Sequence, residues 1–363
     1  MILRVTSRRS STSATPTRTP EPSQPSSRPC SHPTAGPSSA CRPGGRATAA
    51  SLSILAAQSL GLRYLNAYLD SLGSNFTQGA NFASAAGTIR RVNGSLWTSG
   101  YSPISLDVQI WQFQQFINRS QFVYNNIGGV YREILPKPEH LVSKALYTFD
   151  IGANDLAMGY LDNMTTEQVE AYVPDLMERL ASAIQTVYDL GGRYFWVHNT
   201  GTLGCLSYAL AYRPDLATEK DSAGCSVALN AGPRFFNTRL KETVARLRVA
   251  LPEAAFTYVD VYTAMYRLMS EAKKIGFGDP LRVCCGYGGG EYNFDKDIGC
   301  GVKVEVNGTV MEGKSCEDPS RSVSWDGVHL TEAAYKFIFD QIVDGALSDP
   351  PVPLRRACQA KGQ

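Results

Sequence analysis

Apolar residues in the body of the chain follow two alternating patterns. Three short runs rich in aromatic and β-branched residues predict buried strands at residues 145–151, 194–199 and 256–261. Elsewhere apolar positions recur at steps of three and four, which predicts amphipathic helices. The helical stripes comprise Val169, Val173, Leu176, Leu180, Ile184 and Val187, then Phe236, Leu240, Val244, Leu247 and Leu251, and finally Tyr335, Ile338 and Ile342 behind a Thr331 N-cap.

Strands that alternate with helices predict a parallel sheet covered by helices on both faces. Ligands bind such sheets beyond the carboxyl ends of the strands. We therefore expect the site in the loops after Ile151 and Asn199 and in the loop before the last helix. Residues 265–325, with the run CCGYGGGEYNFDKDIGCG, instead predict a long, cross-linked loop.

Residues 1–50, here called the head, show neither periodicity. They contain seven arginines, no lysine and a single acid, Glu21. Such a segment cannot offset its ordering entropy, so we expect a disordered head, a folded domain over 51–350 and a C-terminal tail over 351–363. A transit peptide, a plain disordered tail and a wrong exon or shifted reading frame all fit the head. No signal peptide is visible, because no apolar stretch follows the first basic residues.

Composition excludes some classes of protein. A formal net charge of +2 over 363 residues gives no electrostatic case for nucleic acid. No run approaches the roughly 20 apolar residues of an integral membrane segment. N-x-S/T sequons, which allow N-glycans on a secreted protein, occur at Asn75, Asn93, Asn118, Asn163 and Asn307.

The cysteines of the body favour disulfides in an oxidising compartment, with buried free thiols as the alternative. They are Cys205, Cys225, Cys284, Cys285, Cys300, Cys316 and Cys358. The local options are Cys205 with Cys225, and Cys284 or Cys285 with Cys300 or Cys316. A zinc site is disfavoured because C-x₂-C pairs and nearby histidines are absent.

Three motifs can carry chemistry. In WDGVHLT, a carboxylate at Asp326 can orient the imidazole of His329 as a base, although an acid that merely caps the helix is the alternative. In DIGAND, Asn154 can stabilise an oxyanion or simply form an Asx-turn. In QGANFA, the N–H of Gly79 can face a ligand or belong to a plain loop.

Together and in this order, the motifs resemble plant GDSL-type esterase/lipases of the SGNH hydrolase superfamily. The resemblance covers about residues 56–348 and extends to FWVHNTGTLGC and SWDGVHLTEAAY. It lies in the branch that includes early-nodulin-like proteins and proteins named as α-fucosidases.

The resemblance implies a flavodoxin-like, three-layer α/β/α fold and ester hydrolysis by a Ser–His–Asp arrangement, without cofactor or metal. The implied substrate is a small-molecule, lipid or acetylated-glycoside ester. Gly79 and Asn154 would be oxyanion donors, His329 the base and Asp326 its acid partner. Because a backbone carbonyl can assist the base in this family, loss of Asp326 would be less damaging than loss of His329.

The nucleophile is unknown. The family's serine lies in an early G-D-S block, and this sequence contains neither G-D-S nor the G-x-S-x-G elbow of other hydrolases. Ser38, Ser39 and Ser51 lie in the head or at its edge, and Ser84 lies in the predicted oxyanion loop. We expect the sheet to lack its usual first strand, and we interpret the head as a mis-spliced or frame-shifted replacement for a signal peptide and the G-D-S block.

Three functions compete. The first is a secreted carboxylic-ester hydrolase, and the second is an inactive family member that binds ligands or is vestigial. The third is a glycosidase, which generally needs two carboxyl groups flanking the bond. Asp150, Asp155 and Asp326 are available, but their spacing selects no pair.

Overall fold

The computed structural model describes residues 2–5, 52–70, 72–93 and 100–358. The α-helices are α1 (Leu52–Ser59), α2 (Leu106–Phe122), α3 (Tyr131–Ile134), α4 (Pro138–Ser143), α5 (Ala153–Leu161), α6 (Thr166–Asp189), α7 (Ser207–Tyr212), α8 (Val227–Ala250), α9 (Val261–Glu271) and α10 (Glu332–Ile342). The strands are β1 (Ile2–Val5), β2 (Asn66–Ala67), β3 (Gly79–Asn81), β4 (Ala145–Phe149), β5 (Tyr194–His198), β6 (Ala255–Val259), β7 (Cys285–Gly286), β8 (Lys303–Val306), β9 (Thr309–Glu312), β10 (Lys314–Ser315) and β11 (Ser348–Asp349). A π-helix spans Val123–Ile127, and short 3₁₀ turns lie at Leu203–Cys205, Pro319–Arg321 and Leu354–Arg356.

Seven strands form the central sheet in the order β11-β6-β5-β4-β1-β3-β2. Strands β4, β5 and β6 pair in parallel, as the alternation of strands and helices predicted. Their carboxyl ends therefore open at one edge of the sheet, where parallel sheets bind ligands. The sequence placed all three strands correctly to within two residues at each end.

Strand β1 occupies the position that the sequence analysis expected to be vacant. It pairs antiparallel with β3 and with β4, so Leu3 lies opposite both Ala80 and Tyr147. A vacancy would leave two strand edges without partners, and the extended Ile-Leu-Arg-Val segment supplies the missing main-chain donors and acceptors. The expectation of a head without regular structure is thus corrected for residues 2–5, whereas residues 6–51 lie outside the described part of the chain.

Helices cover both faces of the sheet, which gives the three-layer arrangement. On one face Phe113 of α2 packs edge-on against Tyr147 of β4, with ring centroids 5.6 Å apart. On the other face Ala56 of α1 and Leu146 of β4 line the same narrow cavity. The predicted stripes of α6, α8 and α10 are buried except for the half-buried Tyr335, and burial of such side chains drives the packing of helix on sheet. No helix in the described residues combines the length and hydrophobicity that a membrane crossing requires.

Two predicted boundaries need correction. The long loop was expected from residue 265, but α9 continues to Glu271. The helix begins at Val261, where the Asp260 side chain caps the first turn by accepting from the Thr263 N–H. The tail was expected from residue 351, but Leu354 and Ala357 are buried in the core. The Leu354 N–H also donates to the carbonyl of Val343 at 3.0 Å, so the folded unit extends beyond residue 350.

Three disulfides cross-link the chain, in agreement with the predicted options. They are Cys205–Cys225, Cys284–Cys316 and Cys285–Cys300. The last two hold the Gly- and Cys-rich loop, whose regular structure after α9 consists of the short strands β7 to β10 and the 3₁₀ turn Pro319–Arg321. Cross-links replace an extensive core in holding this loop.

Candidate active site

Asp326 and His329 form a hydrogen-bonded pair in the loop that enters α10. The imidazole Nδ1 lies 2.8 Å from the Asp326 Oδ2. The other carboxylate oxygen accepts the backbone N–H groups of Val328 at 3.0 Å and of His329 at 2.7 Å. Thr331 begins the helix by accepting from the Ala334 N–H, as the sequence predicted. The carboxylate therefore fixes both the ring and the backbone of the histidine.

Each member of the pair stabilises the charge of the other. The hydrogen bond to Asp326 raises the pKa of His329 above its usual value, and burial opposes this effect only in part. Burial by itself would raise the pKa of Asp326, but the hydrogen bond and charge of His329 outweigh it and lower that pKa. The His329 side chain is 61% exposed, so its Nε2 can meet a substrate or a nucleophile.

The disulfide-linked segment supports the loop of the pair. The N–H of Cys284 donates to the Ser324 carbonyl at 3.0 Å, and the N–H of Cys285 donates to the Trp325 carbonyl at 2.6 Å. Gly327 has a φ of +93°, and a Cβ there would lie 2.7 Å from the Phe294 ring. Glycine is required at this turn for both reasons.

Asn154 lies in the first turn of α5, directly beyond β4. Gly152, with a φ of +113°, allows the sharp turn, and any side chain there would overlap the ring of Phe236. The Asn154 Nδ2 donates to the Gly87 carbonyl at 2.9 Å, which orients the amide. Among the described residues, no second hydrogen bond engages this amide.

Gly79 is at the start of β3, with a φ of +123°. Its N–H donates to the Phe76 carbonyl at 3.0 Å, and its register partner in β1 is Arg4. The N–H that the sequence analysis assigned to the oxyanion is therefore engaged within its own turn. Asn154 is the better placed of the two predicted donors.

A second acid–histidine pair lies at the same edge. The His198 Nδ1 at the end of β5 is 3.4 Å from the Asp150 Oδ2 at the end of β4, although the angles do not make a hydrogen bond. Burial raises the pKa of the Tyr335 phenol to about 12, and both Asp150 and Asp326 add to the rise. Asp150 and His198 lie at the carboxyl ends of two neighbouring parallel strands.

The sequence analysis did not assign His198 a role, and it named Asp155 only as an available carboxyl group for a glycosidase. His198 could have been found as a histidine at the carboxyl end of a predicted strand. Asp155 is fully buried, and its carboxylate accepts the backbone N–H groups of Ile89 at 2.8 Å and Arg90 at 3.1 Å. These donors come from a loop about 65 residues earlier in the chain, and no local pattern signals such contacts.

Two of the serines considered as nucleophiles or lining the neighbouring cavity, Ser84 and Ser53, lie in the described residues. The Ser84 hydroxyl is 2.7 Å from the Ser102 hydroxyl, which gives it a serine rather than an imidazole as neighbour. Ser53 lines the narrow cavity that also contacts Asp150 and His198. Ser38, Ser39 and Ser51 lie outside the described residues.

Comparison with known proteins gives one family. The model of the GDSL-like lipase/acylhydrolase family matches residues 38–342, a match that begins inside the predicted head. The chain is 68% identical to the GDSL esterase/lipase ACHE of Zea mays over 85% of this chain and 78% of the maize protein.

Two further relatives cover the branch that the sequence resembled. Alpha-L-fucosidase 3 of Arabidopsis thaliana is 53% identical over 80% of this chain and 77% of its own. The GDSL esterase/lipase ENOD8 of Medicago truncatula is 47% identical over 84% of this chain and 78% of its own. The chain therefore belongs to the GDSL-like lipase/acylhydrolase family of hydrolases and is, by family, an esterase or lipase.

Proposed function

We propose that the chain hydrolyses carboxylic esters with His329 as general base and Asp326 as its orienting acid. The observation that carries this proposal is the 2.8 Å contact between Nδ1 and the carboxylate, which leaves Nε2 exposed to accept a proton. In the first half-reaction a nucleophilic hydroxyl gives its proton to Nε2 and attacks the acyl carbon. The imidazolium then protonates the leaving alcohol, and water repeats the sequence to release the acid.

The negative charge on the tetrahedral oxygen needs donors already in place. We assign this role first to Asn154, since the Gly87 carbonyl orients its amide. Gly79 is assigned as a second donor, and its N–H must then turn from the Phe76 carbonyl toward the substrate. The nucleophilic serine is left unassigned.

The family supports a small-molecule ester as the substrate. We propose an acyl lipid or acetylated glycoside as the ester, with the protein secreted and N-glycosylated. Disulfides support an oxidising compartment. Of the five sequon asparagines, Asn75 is half-buried and the others, Asn93, Asn118, Asn163 and Asn307, are exposed.

The two other functions have less support. A glycosidase needs two carboxyl groups facing one bond, yet Asp155 is buried against backbone N–H groups and Asp326 is bonded to His329. One relative has the name Alpha-L-fucosidase 3. For that reason a fucoside is included among the assay substrates. An inactive family member would retain the fold and show no turnover.

The test is hydrolysis of p-nitrophenyl acetate by the wild-type chain, His329→Ala and His140→Ala. His140 is the matched control, because α4 precedes β4 and lies at the amino end of that strand. We expect loss of turnover in His329→Ala alone. Turnover that survives in His329→Ala would refute the assigned base, and no turnover in the wild type would favour the inactive member.

A fluorophosphonate probe locates the nucleophile without assuming its position. The labelled peptide is identified by mass spectrometry in the wild-type chain and in His329→Ala. Labelling of one serine that depends on His329 is the expected result. A wild-type chain that hydrolyses the ester but labels no serine would contradict a serine nucleophile.

A further inference from the structure

Asn154 and Asp155 are consecutive residues that hold the same segment, residues 87–90, at two points. Asn154 donates its side-chain amide to the carbonyl of Gly87. Asp155 accepts the N–H groups of Ile89 and Arg90, one on each carboxylate oxygen. The position of the Gly87 carbonyl, and hence the direction of the Asn154 amide, depends on how firmly Asp155 holds the next residues.

The segment has little freedom once it is held. A Cβ at Gly87 would lie 2.9 Å from the Ser84 carbonyl and 3.0 Å from the Gln109 side chain. The Thr88 carbonyl accepts from the Leu106 N–H at 2.8 Å. A shift of Gly87 would therefore require the first turn of α2 to move with it.

A buried ionised carboxylate is an energetically unfavourable hydrogen-bond acceptor with which to hold a loop. Asp155 has no exposed surface, and burial of an ionised carboxylate is unfavourable unless its partners compensate. Burial raises the pKa of Asp155 to about 6, although the N–H groups of Ile89 and Arg90 and the Arg90 charge act against the rise. An asparagine would avoid the charge, but its single oxygen cannot accept both N–H groups in the same way.

We propose that Asp155 is a positioning residue for the oxyanion donor Asn154, holding residues 87–90 so that the Asn154 amide keeps one N–H directed at the acyl oxygen. The inference rests on the proposed ester hydrolysis. It extends that function by a residue that does not itself touch the substrate.

The groups that face Asp155 determine how it titrates. Arg90 comes from the held segment, and its guanidinium lies 4.5 Å from the centre of the Tyr172 ring of α6. The Tyr172 hydroxyl donates to the Asp155 backbone carbonyl at 2.8 Å. Burial, with a further contribution from Asp155, raises the pKa of the Tyr172 and Tyr101 phenols. Among these groups Asp155 alone changes charge near neutral pH.

The test compares Asp155→Asn with Asp107→Asn. Asp107 is the matched control, because it pairs with Arg91, the residue that follows the held segment, at an exposed position. We expect Asp155→Asn to lower kcat for p-nitrophenyl acetate by about 10- to 100-fold with KM changed less than about threefold. Asp107→Asn should change both constants by less than about twofold.

Amide hydrogen exchange provides a readout that needs no turnover. The Ile89 and Arg90 amides should lose protection in Asp155→Asn but keep it in Asp107→Asn. Protection of the buried strands, measured in the same experiment, shows whether Asp155→Asn is folded, so a loss confined to residues 89 and 90 reports the attachment itself.

The outcomes separate the two proposals. Retained protection in Asp155→Asn would overturn the attachment, and lost protection with unchanged kcat would overturn the positioning role. No turnover in the wild type would overturn ester hydrolysis and with it the catalytic meaning of Asp155. Loss of protection would in that case establish a structural attachment alone.

Discussion

The Asp326 carboxylate bonds His329 twice, through the ring Nδ1 at 2.8 Å and through the backbone N–H at 2.7 Å. The first contact selects the tautomer with Nδ1 protonated, so that Nε2 is a free base. The second contact fixes the backbone position from which the His329 side chain extends. Removal of Asp326 therefore affects both the chemistry and the geometry of His329, and different substitutions separate these effects.

Asp326→Asn should be more damaging than Asp326→Ala, although asparagine has the same shape. The asparagine NH₂ would face Nδ1 and favour the tautomer with Nε2 protonated, which cannot accept a proton, whereas alanine leaves the tautomer free. We expect kcat to fall by about 10⁴-fold in Asp326→Asn and by at least about tenfold less in Asp326→Ala. Equal losses in steady-state assays would contradict tautomer selection.

Activity should fall toward acid as His329 becomes protonated. Because the hydrogen bond to Asp326 raises the pKa of His329 above 6.5, the acid limb of kcat/KM should lie above that pH. In Asp326→Ala the raising partner is gone, and the limb should move toward lower pH. A pH–rate profile of both chains checks this, and a limb that stays in place would assign it to another group.

Because Asp155 is buried, its effect on the pH dependence of stability should have the opposite sign from that of an ordinary acid. Its folded pKa of about 6 lies above the usual 3.8, so its favourable contribution is complete below about pH 4 and is lost as pH rises through about 6. Between these limits the wild type should lose roughly 3 kcal/mol relative to Asp155→Asn. Urea unfolding of both chains at several pH values measures this difference.

Asp107→Asn is the control for that measurement. Burial raises the pKa of Asp107, but hydrogen bonds from Ser105 and Arg91 outweigh it and lower the value. Its contribution is therefore present above its unfolded pKa and is lost as pH falls. A wild-type chain that failed to gain stability over Asp155→Asn on acidification would contradict the assignment to Asp155.

Two disulfides of comparable loop length should affect activity differently. Cys284–Cys316 closes 32 residues and Cys205–Cys225 closes 20, so loss of either should cost about 3–4 kcal/mol of stability. Cys284 itself donates to the Ser324 carbonyl at 3.0 Å, whereas Cys205 lies three residues before Tyr208, whose N–H donates to the Gly327 carbonyl at 3.2 Å. The double serine variant at 284 and 316 should therefore lower kcat further, at a temperature where both variants are folded.

Glycans should occupy the exposed sequons more completely than Asn75. The Asn75 Oδ1 accepts from the Thr77 N–H at 3.0 Å, and its Nδ2, the atom that would carry a glycan, is 3.4 Å from the Glu133 carbonyl. Asn163 and Asn307 lie in exposed turns with positive φ. Peptide mapping of plant-expressed protein before and after glycan removal measures the occupancy at each site.

Local periodicity predicted most of the frame. The strands β4 to β6, the helices α6, α8 and α10 and the Thr331 cap were predicted because each leaves its signal in neighbouring residues. The sequence analysis limited the possible disulfide pairings to a set that includes the observed ones, because the paired cysteines are close in sequence. Asp326 and His329 were found together because three residues separate them at the entrance of a helix.

The remaining features depend on contacts between distant segments. Nothing near Ile2–Val5 specifies an antiparallel position between β3 and β4. The bond from the Gly79 N–H to Phe76 follows from a turn geometry that composition does not determine. The Asp155 carboxylate joins two distant segments by accepting the N–H groups of Ile89 and Arg90. In the sequence, Asp155 is indistinguishable from an ordinary turn residue.

The neighbouring cysteines Cys284 and Cys285 have a consequence for oxidative folding. Four cysteines allow three pairings, and the sulfur chemistry hardly distinguishes the crossed pairing from the native one. Consecutive side chains in an extended segment point to opposite sides, so each thiol faces a different partner only when the backbone is in register. The Cys316 N–H meets the Cys284 carbonyl at 2.7 Å, and Ser315 pairs with Cys285. Backbone pairing must therefore precede the final thiol exchange, and oxidation before that pairing would trap crossed isomers.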